Sequence, residues 1–155
     1  MAPITAFCIV SESWLLAGLV FFTAVLTDLI DGPLARHRGE ASRQGGLIDH
    51  GADAFFVIVI LASLAAQGFF TPLLPLMVGL AFLQYIFGSG VQKQQPLKAS
   101  RLGRYNGISY FVLAGIPVTQ HALGLAWIPV WILSYGGWLL IASTIFSIFD
   151  RMRSS

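Results

Sequence analysis

The sequence predicts an all-α membrane protein, a bundle of six helices with the first one incomplete, and three observations predict it. Of the 155 residues, 56% are hydrophobic and only 10% are charged, with a mean hydropathy of +0.77. Soluble domains carry about a quarter charged residues, so there is too little polar surface here to cover a water-soluble core. The apolar residues are gathered into runs close to the roughly 20 residues that cross a bilayer. All nine Lys and Arg residues fall between or after those runs, in three groups.

Taken in order, Met1 to Val10 is an apolar fragment about 15 Å long at 1.5 Å per residue, half of what a bilayer requires. It reads as the tail of a helix whose beginning is missing. A signal peptide would need a basic start and a small-residue cleavage site, and neither is present. Trp14 to Ile30 is the next span. Ala52 to Gly88 is long enough for two, and Gln67, Gly68, Thr71 and Pro72 break it into Ala52 to Gln67 and Phe70 to Phe87. Gly107 to Ala126, with Pro117 expected to kink it, and Ile128 to Phe149 complete the set. Small residues at Gly79, Ala81, Gly136 and Gly137 allow close helix approach. No repeat or soluble appendix interrupts this pattern, so residues 1–155 read as a single membrane domain.

The basic groups are Arg36, Arg38 and Arg43; Lys93, Lys98, Arg101 and Arg104; Arg151 and Arg153. Lys and Arg accumulate on the cytoplasmic side, which puts these two loops and the C-terminus inside. The turns at Glu12, Gln67 to Thr71 and His121 to Ala126 then face outward, with Trp14 and Trp127 at outer ends where aromatic belts sit. The net charge of +2 and pI near 9.0 come from these loop charges. They form no basic stripe with interleaved aromatics, so nucleic acid is not an expected partner. Cys8, the one cysteine, has no ligand-type neighbours in sequence and is given no role.

The chemistry is concentrated in the acidic residues. Four of the seven stand at the expected inner ends of consecutive spans: Asp28 and Asp31 at i and i+3, Asp49 and Asp53 at i and i+4, each pair on one face. On these boundaries the first pair occupies the last turn of its helix, where the helix dipole disfavours anions, and the second pair the first turn of the next, where it favours them. Helix-end charge complementation therefore accounts for Asp49 and Asp53 but not for Asp28 and Asp31. Four carboxylates converging beside hydrocarbon suit hard divalent cations, most simply Mg²⁺. Two such ions could clamp a pyrophosphate during displacement at phosphorus.

The segment Thr27 to Asp53, TDLIDGPLARHRGEASRQGGLIDHGAD, fits the pattern D-x-x-D-G-x-x-A-R-x(8)-G-x(3)-D-x(3)-D at every fixed position. This resembles the signature of the CDP-alcohol phosphotransferase (phosphatidyltransferase) family, carried by Asp28, Asp31, Gly32, Ala35, Arg36, Gly45, Asp49 and Asp53. The resemblance implies two divalent metals, Mg²⁺ with Mn²⁺ as the alternative, held by Asp28, Asp31, Asp49 and Asp53. It implies that Asp53 is also the base that deprotonates the acceptor hydroxyl, and that Gly32, Ala35, Arg36 and Gly45 lie along the CDP moiety. Glycine permits close backbone approach, and arginine pairs with pyrophosphate oxygens in a fork. Pro33, directly after the Asp-Gly pair, is expected to bend the helix.

The expected reaction is attack by an alcohol on the phosphorus beside the lipid of CDP-diacylglycerol, giving a phospholipid and CMP. The expected setting is a polar cavity open to the cytoplasm at a bacterial inner membrane, in a homodimer among membrane lipids. The alternatives are transfer from a soluble CDP-alcohol to diacylglycerol, a small ion transporter, or a non-catalytic assembly protein. Transport sites favour the bilayer midplane and internal repeats, which the aspartate placement does not match. An assembly protein gives no reason for four aspartates. Lys98, Arg101, Arg104 and Asn106 resemble the basic start of the fifth helix in family members, where an acceptor phosphate can sit; the positive-inside bias explains them equally well. His37 and His50 read as solvated loop histidines, His121 as remote from the site, and Glu40 and Asp150 as solvated charges.

Overall fold

The computed structural model describes residues 1–37, 43–88, 101–125 and 127–153, with side chains for all of these but 31–37, 43, 44, 46, 47, 87, 88, 101, 151 and 152. Among the described residues there are six helices and no strand: α1 (Ala2–Val10), α2 (Trp14–His37), α3 (Arg43–Ala66), α4 (Leu73–Gly88), α5 (Arg101–Ala122) and α6 (Val130–Arg153).

The turns at one end follow the residues expected to make them. Ser11 Oγ donates to the Phe7 carbonyl at 2.8 Å and Glu12 adopts φ 58, so α1 closes and the chain reverses. Gln67 then reaches across from the end of α3, its Nε2 donating to the carbonyls of Ile9 (3.2 Å) and Val10 (3.1 Å). Those are carbonyls of the kind a helix end leaves unpaired. Gly68, at φ +82, makes the turn toward α4 in a region that a Cβ disfavours. Between α5 and α6, Gln120 bonds both the N–H (3.3 Å) and the carbonyl (3.2 Å) of Ile128.

At the other end three helices run further than the apolar runs indicate. α2 does not stop at Ile30 but continues through Pro33 to His37, and α3 begins at Arg43 rather than Ala52. α5 likewise begins at Arg101 rather than Gly107. Hydropathy marks where hydrocarbon ends, and a helix need not end there. Pro33 removes one backbone donor, a loss that membrane helices tolerate where neighbours re-satisfy the freed group. The consequence reaches the site: Asp28 and Asp31 lie inside α2, not on its last turn, and α3 has no acidic residue in its first turn. The helix-dipole contrast between the two pairs therefore falls away, while their shared faces remain.

Helix α1 packs on α2 and α3, α2 on α5, α5 on α6, α6 on α4 and α4 on α3, with α3 and α5 also in contact across the middle. The order around the bundle is α1, α2, α5, α6, α4, α3. Among the described residues the two motif helices, on consecutive spans, are not one of the close packing pairs. They are joined through α1 on one side and α5 on the other. The rings of Phe21 (α2), Phe56 (α3) and Phe111 (α5) fill the space between them, with centroids 5.7 Å and 6.1 Å apart.

The core is made of Ile9, Ala17, Ile60, Leu61, Leu64, Leu74, Val118 and Leu133, all at most 2% exposed. Gly18 lets α2 approach α5 so closely that a Cβ there would stand 2.8 Å from that of Ala122. On the outside, Leu15, Leu19, Leu26, Trp131, Tyr135, Leu139 and Phe146 are more than half exposed. Apolar cover of this extent is what hydrocarbon solvates and water does not. The segments Ile48–Ala66 and Val130–Asp150 are long and apolar enough to cross a membrane, and Trp14–Ile30 and Leu73–Ile86 are shorter apolar helices.

Candidate active site

The extension of α3 back to Arg43 places Asp49, His50 and Asp53 on continuous helix. His50 is therefore not the loop histidine its flanking position suggests. One ligand atom from each of these three side chains lies within 4.8 Å of the others. Asp49 and His50 are exposed and Asp53 is half-buried. The His50 ring meets Tyr85 of α4 edge-on at 6.0 Å, and Tyr85 stacks with Phe82 at 6.3 Å. The signal for His50 was its i, i+3 spacing to Asp53, which becomes meaningful only once the helix boundary is known.

Asp28 comes from the other side. It lies outside the 4.8 Å group but lines the same cavity as His50 and Asp53, a space of about 880 Å³ bounded by α2 to α6. A second cavity, about 330 Å³, opens between α1, α2 and α3 and is also lined by Asp28 and Asp53. These two aspartates thus stand where both cavities meet. Asp53 feels the charges of Asp28, Asp49 and His50. Phe111 and Val25 border both cavities as well, and Phe56 belongs to the smaller one. The aromatic cluster of Phe21, Phe56 and Phe111 therefore lies beside the carboxylates toward the bundle interior.

To the same cavity α5 contributes Gly103, Arg104, Asn106, Gly107, Tyr110 and Phe111. Hydrogen bonds fix how α5 sits on α6. Ser143 Oγ donates to Asn106 Oδ1 at 2.7 Å, Asn106 bonds Tyr110, and the Tyr110 hydroxyl pairs with Thr144, whose own Oγ1 donates to the Leu140 carbonyl at 2.6 Å. Because Thr144 spends its proton on Leu140, the Tyr110 O–H is the donor to Thr144. The polar residues Tyr110, Ser143 and Thr144 sit within apolar runs, and hydropathy gave no reason to single them out. Gln84 of α4 ties down α6 by donating to the Ile148 carbonyl at 2.9 Å.

The other expected site residues are placed less fully. Asp31, Gly32, Ala35 and Arg36 belong to the last two turns of α2, with side chains outside the description, and Gly45 lies near the start of α3. Lys98 falls outside the described residues, and Arg101 is described in backbone only. His121 is remote, as expected: it lies against Trp14 (4.6 Å) and Phe69 (5.0 Å) by the Gly68 turn, at the opposite end of the bundle.

The donor set can be judged on its chemistry. Carboxylate oxygens from α3, with those of Asp28 beside the same cavity, fit a hard divalent cation. The His50 nitrogen widens the set toward Mn²⁺.

Comparison with known proteins bears on the same segment. The family model described as CDP-alcohol phosphatidyltransferase matches residues 1–149. A CDP-diacylglycerol–glycerol-3-phosphate 3-phosphatidyltransferase of Cereibacter sphaeroides is 34% identical over 83 residues, 54% of this chain and 38% of that protein. One of the same name from Blochmanniella floridana is 45% identical over 47 residues, 30% of this chain and 25% of that protein. The matched parts thus cover well under half the length of either relative. No solved structure matches the chain.

Proposed function

Because the chain belongs to the CDP-alcohol phosphatidyltransferase family, we propose that it transfers a phosphatidyl group from CDP-diacylglycerol to an alcohol and releases CMP, with glycerol 3-phosphate the first acceptor to try. The observation that carries this reading is that Asp28 and Asp53 line two cavities, with Arg104 also lining the larger one. Both relatives bear the name of glycerol-3-phosphate enzymes, and a phosphorylated acceptor suits a guanidinium that lines the same cavity as the carboxylates.

In this reading the acceptor oxygen forms a bond to the phosphorus beside the diacylglycerol, the pyrophosphate bond breaks, and CMP carries the bridging oxygen away. Asp28, Asp31, Asp49 and Asp53 would hold the divalent cations, which supply positive charge against the phosphates. Asp53 takes the acceptor proton. Gly32, Ala35, Arg36 and Gly45, at the neighbouring ends of α2 and α3, bind the CDP moiety. Arg104 orients the acceptor from the α5 wall. The aromatic cluster of Phe21, Phe56 and Phe111 limits water on the inner side. We place the reaction at the cytoplasmic face of a six-span, single-domain protein, working as a homodimer.

The test is CMP release from CDP-diacylglycerol by membranes containing the protein, with Mg²⁺ or Mn²⁺ and a panel of acceptors. Release that needs both the metal and an added alcohol is expected. Absence of release with every acceptor overturns the proposal. Release from a CDP-alcohol with diacylglycerol instead reassigns the donor.

A further inference from the structure

Helix α5 carries a glycine that packing does not explain. Glycine is the poorest helix former after proline, and four other helical glycines answer a close contact, while Gly51 and Gly79 have ordinary neighbours at 3.6 and 3.8 Å. A Cβ on Gly18, Gly115, Gly136 or Gly137 would meet a neighbouring side chain at 2.8, 3.3, 3.1 and 3.3 Å. Gly68 and Gly124 have positive φ. Gly107 has neither reason. It lies inside α5, and among the described residues a Cβ there would meet nothing within 4 Å. The open space is the 880 Å³ cavity, which Gly107 lines between Arg104 and Phe111. Arg104, Gly107 and Phe111 follow one another at i, i+3 and i+7, so they form one stripe along the helix.

The stripe is held in position by an adjoining face of the same helix, which lines the same cavity. Asn106 and Tyr110, 5% and 6% exposed, are bonded to Ser143 and Thr144 of α6. This fixes the rotation of α5 and keeps Gly107 turned to the cavity. The carboxylates that share the cavity, Asp28 and Asp53, come from α2 and α3.

Resting on the function proposed above, we infer that Gly107 is a specificity-determining residue. The acceptor lies against the bare α5 backbone at this position, its phosphate toward Arg104 and its hydroxyl toward Asp53. The absent side chain sets how bulky a phosphorylated alcohol can be. The donor is assigned to the α2 and α3 ends, so this wall serves the acceptor alone. A Cβ at 107 would stand in substrate space without touching the described residues.

That geometry separates a substrate role from a structural one. Gly107→Ala and Gly107→Leu, in the full chain purified in detergent or nanodiscs, improve helix propensity, and the Cβ that both add meets nothing within 4 Å among the described residues. Their melting temperatures should equal or exceed that of the unsubstituted protein. The KM for glycerol 3-phosphate should rise about tenfold or more, the scale of one misplaced methyl group in a pocket. It should rise further with leucine and with a bulkier phosphorylated polyol as acceptor, while the KM for CDP-diacylglycerol stays unchanged. An unchanged acceptor KM in both variants overturns the inference. So does an equal loss for donor and acceptor, or a loss that accompanies a fall in melting temperature. If the unsubstituted protein releases no CMP with any acceptor, the functional reading itself has failed, which is a different result from an active parent with indifferent variants.

Discussion

At the residue scale, the two α3 aspartates differ in setting although they share a face. Asp49 is exposed, whereas Asp53, one turn deeper, is half-buried and stands where both cavities meet. A base must touch the acceptor hydroxyl, and of the two only Asp53 borders the cavity that Arg104 also lines. Asp53→Asn keeps the shape and one oxygen but loses the basicity. It should slow CMP release about a hundredfold or more, the usual scale for a general base, while CDP still competes for the site in the presence of Mg²⁺. A parallel collapse of CDP affinity would make Asp53 chiefly a metal ligand. Asp28→Asn and Asp49→Asn should instead shift the metal dependence, so that far more Mg²⁺ is needed for residual activity. Ordinary activity at ordinary Mg²⁺ in either variant would remove it from the ligand set. The spacing of Asp28, Asp31, Asp49 and Asp53 was readable from the chain because short-range helical geometry fixes which residues share a face. The place of His50 was not, since it depends on where α3 begins.

At the scale of the element, the six helices and their order were legible, and so was the break at Gln67 to Pro72, because apolar runs and Gly or Pro punctuation are local properties. The end assigned to α2 and the starts assigned to α3 and α5 were not. A helix leaving hydrocarbon keeps its backbone bonds in water, so Pro33 and the polar turns after Ile30 or before Ala52 are compatible with continued helix. Pairings across the bundle, such as Tyr110 with Thr144, depend on tertiary packing that no single segment encodes. Gln67 is the instructive case at the other end. Sequence marks it as a breaker, while the structure makes it the cap of a different helix, with two hydrogen bonds to the last carbonyls of α1. Gln67→Ala should therefore loosen α1 rather than α3, costing about 1 to 3 kcal/mol for the two bonds. Hydrogen exchange should rise selectively in residues 2–10, and exchange that rises equally in all helices would contradict this assignment.

At the scale of the whole molecule, the charge pattern and the helix order make one joint prediction about orientation. Antiparallel succession of α1 to α6 would put the end of α2, the starts of α3 and α5 and the end of α6 on one side, and in the sequence every Lys and Arg lies in or between those segments. The turns at Glu12, Gly68 and Gly124 lie at the other end, together with the Trp14, Phe69 and His121 cluster. Lys and Arg are retained on the cytoplasmic side, so the carboxylates, which are closer to the basic end, should open to the cytoplasm. Cys8 is buried and can be replaced by serine to give a background without reactive thiols. Single cysteines at Glu12 and Gly124 should then react with a membrane-impermeant maleimide added to intact cells, whereas one at Arg153 should react only after the membrane is opened. The helix count enters as strongly as the charge rule: an odd number of crossings between residues 12 and 153 is required for opposite labelling. Labelling of both ends from the same side would mean that one of α2, α4 and α5, which are not among the two segments long and apolar enough to cross, fails to cross, and the carboxylate site would lose its assigned face.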